Sequence, residues 1–265
     1  MIRQSFLLKT AVFTSLLISQ AAYAEEDVPA PSSAWDMRLG IGALTNPEFN
    51  GANEFEVIPV PLVDITWRER LFLNTENGAG VWLFYNEDDP EYSLGASVGF
   101  NFDDRDFGDD PQFEGLGEVD GTVEAHILGG FELGFIEFEA DAAFAISDQG
   151  HNGILITFGA GTGVPLGRRA FFEVTPFAVW ADADYTQSLY GVSAEEAAAS
   201  DFEEFVPSSG FERVGAEFEF SYALTKRIGV FTGVEYSFLL GDAGDSPFIE
   251  KESQVEILSG LFWRF

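Results

Sequence analysis

Ser253-Gln254-Val255-Glu256-Ile257-Leu258-Ser259-Gly260-Leu261-Phe262-Trp263-Arg264-Phe265 is the stretch whose reading decides the fold. At period two, one face carries Ser253, Val255, Ile257, Ser259, Leu261, Trp263 and Phe265, and the other Gln254, Glu256, Leu258, Gly260, Phe262 and Arg264. That is a strand with one mostly apolar face and one mixed polar face. It fits the closing strand of an outer-membrane β-barrel, with apolar side chains to lipid and an aromatic at the interface. The plainer alternative is the last strand of a soluble sandwich, and the rest of the chain decides between the two.

Residues 1–24 read as a secretory signal peptide. Arg3 and Lys9 charge its start, an apolar run follows, and Ala22-Tyr23-Ala24 supplies the cleavage pattern. Residues 25–34, with Pro29 and Pro31, read as a flexible periplasmic leader. Of 13 basic and 45 acidic residues, cleavage removes two basic ones, leaving 11 and a formal charge of −34. Such a charge argues against nucleic acid and anionic surfaces as broad electrostatic partners. Cysteine is absent, which excludes disulfides and thiolate chemistry. After the leader no run of 18 apolar residues occurs, so helical membrane spans are excluded. The 28 Phe and 28 Gly suit a lipid-facing wall with room at strand bends.

Alternation recurs at residues 35–44, 55–67, 71–76, 79–85, 92–102, 119–131, 135–146, 154–164, 172–180, 212–224, 228–240 and 253–265. Pro59 and Pro61 predict a second strand that is bent, bulged or partly unpaired. Asn77-Gly78 divides 70–85 into two strands. With twelve strands, the long gaps near 50, 110, 195 and 246 follow odd-numbered strands and the short turns near 68, 88, 132, 167 and 225 even ones. That is the pattern of a barrel with short periplasmic turns and long outer loops. The expectation is an all-β fold: one antiparallel transmembrane barrel at 35–265 of about twelve strands, with ten as the alternative, in the outer membrane of a Gram-negative cell.

Several stretches carry a family resemblance. They are Asp184-Tyr185-Thr186-Gln187-Ser188-Leu189-Tyr190-Gly191-Val192-Ser193, Glu196-Ala197-Ala198-Ala199-Ser200, Leu240-Gly241-Asp242-Ala243-Gly244-Asp245-Ser246-Pro247 and Leu261-Phe262-Trp263-Arg264-Phe265. Asn46-Pro47-Glu48-Phe49-Asn50-Gly51 and Gly115-Leu116-Gly117-Glu118 add weaker matches. In these the chain resembles the MipA/OmpV (MltA-interacting protein) family of outer-membrane barrels. The resemblance implies a non-enzymatic envelope protein and, for some members, a scaffold joining a peptidoglycan hydrolase to a synthase. Outer-membrane lipid and the barrel-assembly machinery are the other implied partners. The chain's end is similar to the assembly machinery's recognition signal through Gly260, Trp263 and Phe265, although Leu258 stands where a polar residue is usual.

The inward faces predict a lumen rich in carboxylates: Glu124, Glu137, Glu139, Glu217, Glu219 and Glu235, joined by Asp36, Glu56, Asp64, Asp120, Asp141, Glu173 and Glu256, with Arg38, Arg213 and Arg264. Buried carboxylates must be hydrated or paired. A wet lumen would conduct cations, whereas a compact one would hold Arg–carboxylate networks. Phe72, Trp82, Phe84, Phe177 and Phe231 are further inward candidates, favouring the compact lumen. His126, beside Glu124 and across from Glu137 or Glu139, and His151 read as structural, because Ser97, Ser221 and Ser237 carry no nucleophile motif. The acidic loop 103–110 fits no EF-hand. No cofactor is implied. Residues 182–209 predict an ordered lid or plug, with Ser193 and Glu196 as a capping box for a helix at 194–200. Scaffold is the leading role; a small cation-preferring channel and a loop-borne adhesin are the alternatives.

Overall fold

The alternating segments pair as consecutive hairpins. A computed structural model describes residues 34–86, 91–108 and 110–265. The signal peptide and the leader therefore lie outside the described residues, Ala34 excepted. The strands are β1 (Trp35–Pro47), β2 (Phe55–Trp67), β3 (Leu71–Asn74), β4 (Gly78–Asn86), β5 (Tyr92–Asn101), β6 (Thr122–Leu133), β7 (Ile136–Ala145), β8 (Ile154–Leu166), β9 (Ala170–Ala181), β10 (Gly210–Ala223), β11 (Ile228–Leu239) and β12 (Ser253–Arg264). Each pairs antiparallel with its neighbours, and β12 closes on β1 over Arg38↔Arg264 to Thr45↔Ile257. A closed barrel of twelve strands pairs the backbone along the wall, as hydrocarbon requires, except where the short β3 leaves part of β2 uncovered. Trp263, Leu261 and Ile257 face outward, and Phe262, Leu258 and Glu256 are buried inside.

Three details depart from simple alternation. In β4 the register shifts between Trp82 and Phe84, because Leu83 is an extra residue in the pair with β5. One extra residue reverses the facing of every side chain beyond it. Phe84 thus points outward, 62% exposed, instead of into the lumen, while Trp82 packs on Phe72 at 5.2 Å. In β10 a second shift, between Phe211 and Arg213, lets Glu212 and Arg213 both be buried. Asp120 lies ahead of β6 in an outer loop and is exposed, so it does not reach the lumen.

The prolines of β2 leave its register with β1 unbroken over Trp35↔Trp67 to Pro47↔Phe55. What is partly unpaired is the other edge. β3 pairs with only four residues of β2, Asp64 to Trp67. Its turn then folds against Val63, where the Thr75 N–H donates to Val63 O (2.9 Å) and Thr75 Oγ accepts the Val63 N–H (2.7 Å). Odd-numbered residues of β2 face that side, so Pro59 and Pro61 set their missing N–H groups along the edge that β3 does not cover. Proline there withholds donors that would recruit a foreign strand.

Candidate functional site

The inward side chains of β10, β11 and β12 set three glutamates side by side. Glu217 is the register partner of Glu235, and Glu235 of Glu256. Opposed residues on antiparallel strands lie about 4.5–5.5 Å apart. All three are buried, as is Glu219 on the same face of β10. Glu173 of β9 and Glu76 are close enough for their charges to act on Glu217, and those of Glu139, Asp141 and Asp64 act on Glu76. The alternation does not reveal Glu76. It sits in the β3–β4 turn rather than in a strand, and the short β3 places that turn part-way up the wall. The predicted cluster is therefore divided: Glu217, Glu219 and Glu235 form the buried belt with Glu139 near it, while Glu137 is exposed towards the short-turn end.

Cations flank this belt. Near the short turns Arg38 meets Asp64 (3.4 Å) and Arg264 meets Asp36 (3.1 Å). At the other end Arg213 lies within the fields of Glu212, Glu235, Asp103 and Glu256. Beside the belt the lumen is apolar: Leu44, Ile58, Val60, Leu62, Phe231, Leu258 and Phe262, from β1, β2, β11 and β12, form one buried cluster. The lumen thus joins Arg–carboxylate pairs and apolar filling, both features of a compact interior, to an acidic belt.

Glu124 belongs to a different chain of contacts, between wall and outer loops. His151 Nε2 lies 2.9 Å from Glu124 Oε1, and the Asn101 amide donates to the same oxygen at 3.3 Å. The His126 ring meets Glu124 Oε2 at 3.9 Å and, through Nδ1, Asp141 at 3.0 Å. The register sets His126 opposite Ala143, not opposite Glu137 or Glu139, so Asp141 is its partner. Ser97 is the register partner of His126 on β5, yet its hydroxyl makes no hydrogen bond among the described residues. A nucleophile–base contact is what acyl transfer would need, and this pair lacks it.

Above the belt, the outer loops fold into a cap. Helix α1 (Ala183–Tyr190) starts at Asp182, whose side chain accepts the Tyr185 N–H, and α2 (Ala194–Ala199) carries the Ser193/Glu196 capping box. α3 (Gly241–Gly244) lies against β10 and α1. Tyr185, Leu189 and Tyr190 join Phe177, Val179 and Leu239 of the wall in one core; Phe49, Phe107, Phe113, Val192 and Phe248, drawn from four loops, form another. Arg105 knots the cap. It donates to Gly117 O (2.9 Å), Gly191 O (2.8 Å) and Glu196 Oε1 (2.6 Å). Burial lowers the pKa of its guanidinium, with Glu196 opposing. Burial also pushes the Glu196 carboxyl up, but the N–H groups of Ser193 and Gly117, the Ser193 hydroxyl and Arg105 outweigh it, and the net pKa lies below the usual range. The Tyr190 hydroxyl donates to Glu212; burial first, then that carboxylate, hold its pKa well above the ordinary value.

The profile of "MltA-interacting protein MipA" matches residues 39–265. The chain belongs to the MipA family. Among curated proteins, none matches the sequence. Solved structures similar to this MipA-family barrel include the COG4313 outer membrane channel from Pseudomonas putida F1, with 10% identity, 91% of this chain and 100% of that chain covered, and a TM-score of 0.44. OmpT of Vibrio cholerae is similar at 8% identity, with 87% and 96% covered and a TM-score of 0.37. Likenesses this distant say nothing about what this barrel carries. Family and fold together place the protein in the outer membrane, in contact with its lipid.

Gly260, Trp263 and Phe265, expected as an assembly signal, each have a definite structural place in this MipA-family barrel. Gly260 opposes Gly42 and Phe231; a Cβ on it would come within 2.8 Å of Ile41 O and 2.9 Å of the Phe231 ring. Trp263 and Phe265 are exposed on the outer face, and the Phe265 N–H donates to Met37 O (3.0 Å). Besides Glu76, two residues escape the alternation. Glu212 is hidden by its bulge. Arg105 lies in an acidic loop where nothing in sequence marks it as a hub.

Proposed function

We propose that this barrel is a narrow, cation-preferring permeability protein whose outer mouth is held shut at rest by the folded cap. The observation that carries this is the row Glu217–Glu235–Glu256. Glu217 is 4% exposed, and its Oε1 has no hydrogen-bond partner among the described residues. Carboxylates this close and this buried stay charged only with positive compensation. Arg213 stands near one end of the row, and Arg38 and Arg264 near the short turns are taken up by Asp64 and Asp36. Cations and water entering from the short-turn side supply the rest, and the same field rejects anions. The test is planar-bilayer recording across a KCl gradient. A reversal potential of cation sign, reduced in the E217Q/E235Q variant, supports the reading. A silent bilayer with R105Q, a variant that loosens the cap, defeats it.

The family description favours a second reading, a scaffold for a peptidoglycan hydrolase and synthase. The periplasmic turns are only a few residues long, so the leader 25–34 is the larger handle for such a partner. Capture of the hydrolase by the whole protein but not after removal of 25–34 would support it. Gly260, Trp263 and Phe265 we assign to recognition by the assembly machinery. Their support is the fit of the end to that signal and the outward faces of both aromatics.

A further inference from the structure

The acidic chain has a basic end. Of the eleven Lys and Arg in the described residues, seven stand at the short-turn rim: Arg68 and Arg70 between β2 and β3, Arg168 and Arg169 between β8 and β9, Lys226 and Arg227 between β10 and β11, and Arg264 at the close of β12. The six in the turns are exposed. Hydrogen bonds tie these turns to one another in order around the barrel. The Ala223 N–H donates to Arg169 O (2.7 Å), that of Arg264 to Arg227 O (2.7 Å), that of Phe265 to Met37 O, and that of Arg68 to Ala34 O (2.7 Å). The result is a continuous arc from β8 through β12 and β1 to β3. The remaining arc, β4 to β7, is acidic, with Glu91, Glu132 and Glu137 near one another.

We propose that this arc binds the headgroup phosphates of anionic phospholipid in the periplasmic leaflet of the outer membrane. Three observations choose that occupant. The turns are only three or four residues long, so their cations cannot reach far beyond the wall. Each adjoins an apolar residue: Trp67, half-buried, before Arg68, and the exposed Leu71 after Arg70, Leu166 before the Arg168 turn, Leu224 before Lys226 and Trp263 before Arg264. The cations therefore stand at the edge of the lipid-facing band, where headgroups lie. Finally, Arg68 and Glu69 both take left-handed backbone, with φ of 51° and 56°. Two successive turn residues in this conformation are most easily supplied by Asn-Gly. Here the turn keeps an arginine, stacked over Trp67 at 4.8 Å, so the side chain outweighs backbone ease. Arg68, Arg70, Arg169, Lys226 and Arg227 have no carboxylate partner among the described residues, which leaves them open to phosphate.

The test is native mass spectrometry of the folded protein in detergent with equal amounts of phosphatidylglycerol and phosphatidylcholine of the same chains. A cation near an anionic surface is worth about fivefold in binding. The expected result is preferential retention of phosphatidylglycerol by about tenfold or more. Each of R68Q/R70Q, R168Q/R169Q and K226Q/R227Q should lower the ratio severalfold, and K251Q in an outer loop should not. Heat-modifiable mobility on gels reports the folding of each variant, and any pair that folds decides the matter. Equal retention of the two lipids, or a preference that none of the pairs changes, overturns the proposal. Sedimentation with isolated sacculi that depends on the arc, without any lipid preference, assigns the arc to the wall polymer and also overturns it.

Discussion

Replacing Arg105 with Gln should loosen the cap without harming the wall. Arg105 holds three points: Gly117 O in its own loop, Gly191 O after α1, and Glu196 in α2. Its side chain is 7% exposed and that of Glu196 16%, so the pair is shielded from solvent. A hydrogen bond to a charged group contributes about 1.5–3 kcal/mol, and breaking a buried pair costs about 3–5 kcal/mol. Glu196 would still accept the Ser193 and Gly117 N–H groups (2.8 Å each), so its charge is not orphaned and the lower bound applies. A loss of about 3 kcal/mol is roughly a hundredfold gain in the opened population, at 1.4 kcal/mol per tenfold. Hydrogen exchange of the amides of Gly117, Val192 and Ser193 should accelerate by that order, while those of β10–β12 stay protected. Single-channel records should show longer open dwells. Unchanged exchange at these amides would show that the apolar cores hold the cap alone, and the argument from Arg105 would fail. The double variant R105Q/E196Q should be less than additive, since the removed groups are each other's partners.

Acid should act on the same knot. The pKa of Glu196 is depressed in the folded state, so its stabilisation is complete above the unfolded value, near 4.5, and is lost as pH falls through the lower folded value. Cap exchange should accelerate below about pH 4.5 in the wild type and lose that dependence in E196Q; equal profiles would contradict the assignment. Relief of crowding in the belt by E217Q/E235Q should raise the melting temperature in detergent while weakening cation preference, and a fall in stability would mean that the carboxylates are well compensated. Substituting Gly260 with Val should drive a side chain into Ile41 O and the Phe231 ring and cost roughly 1–3 kcal/mol of wall stability. Unchanged melting would show that the strands give way. Deleting Phe265 should impair insertion in cells far more than deleting Ser208, and equal insertion would count against the signal role.

The wall is legible in the sequence because period two is a direct readout of which side faces lipid. Val255, Ile257, Leu261 and Trp263 already declare the outer face of β12, and Glu217, Glu219 and Glu235 the inner faces of β10 and β11. The misreadings fall where a single residue breaks that count. Leu83 turns Phe84 out, and the shift after Phe211 lets Glu212 be buried beside Arg213, where it receives Tyr190. Nothing in a linear pattern marks which residue a bulge will absorb, because that depends on the partner strand. The cap is legible only in its local part. Ser193 and Glu196 announce α2 at a distance of three residues, and Asp182 caps α1 in the same way. Arg105 meets Glu196 across 91 positions, and Phe107 meets Phe248 across more. Long-range convergence of this kind decides whether the outer mouth is shut. The acidic belt is therefore visible in sequence as chemistry, but whether cations can use it is decided by the cap and by one arginine in an acidic loop.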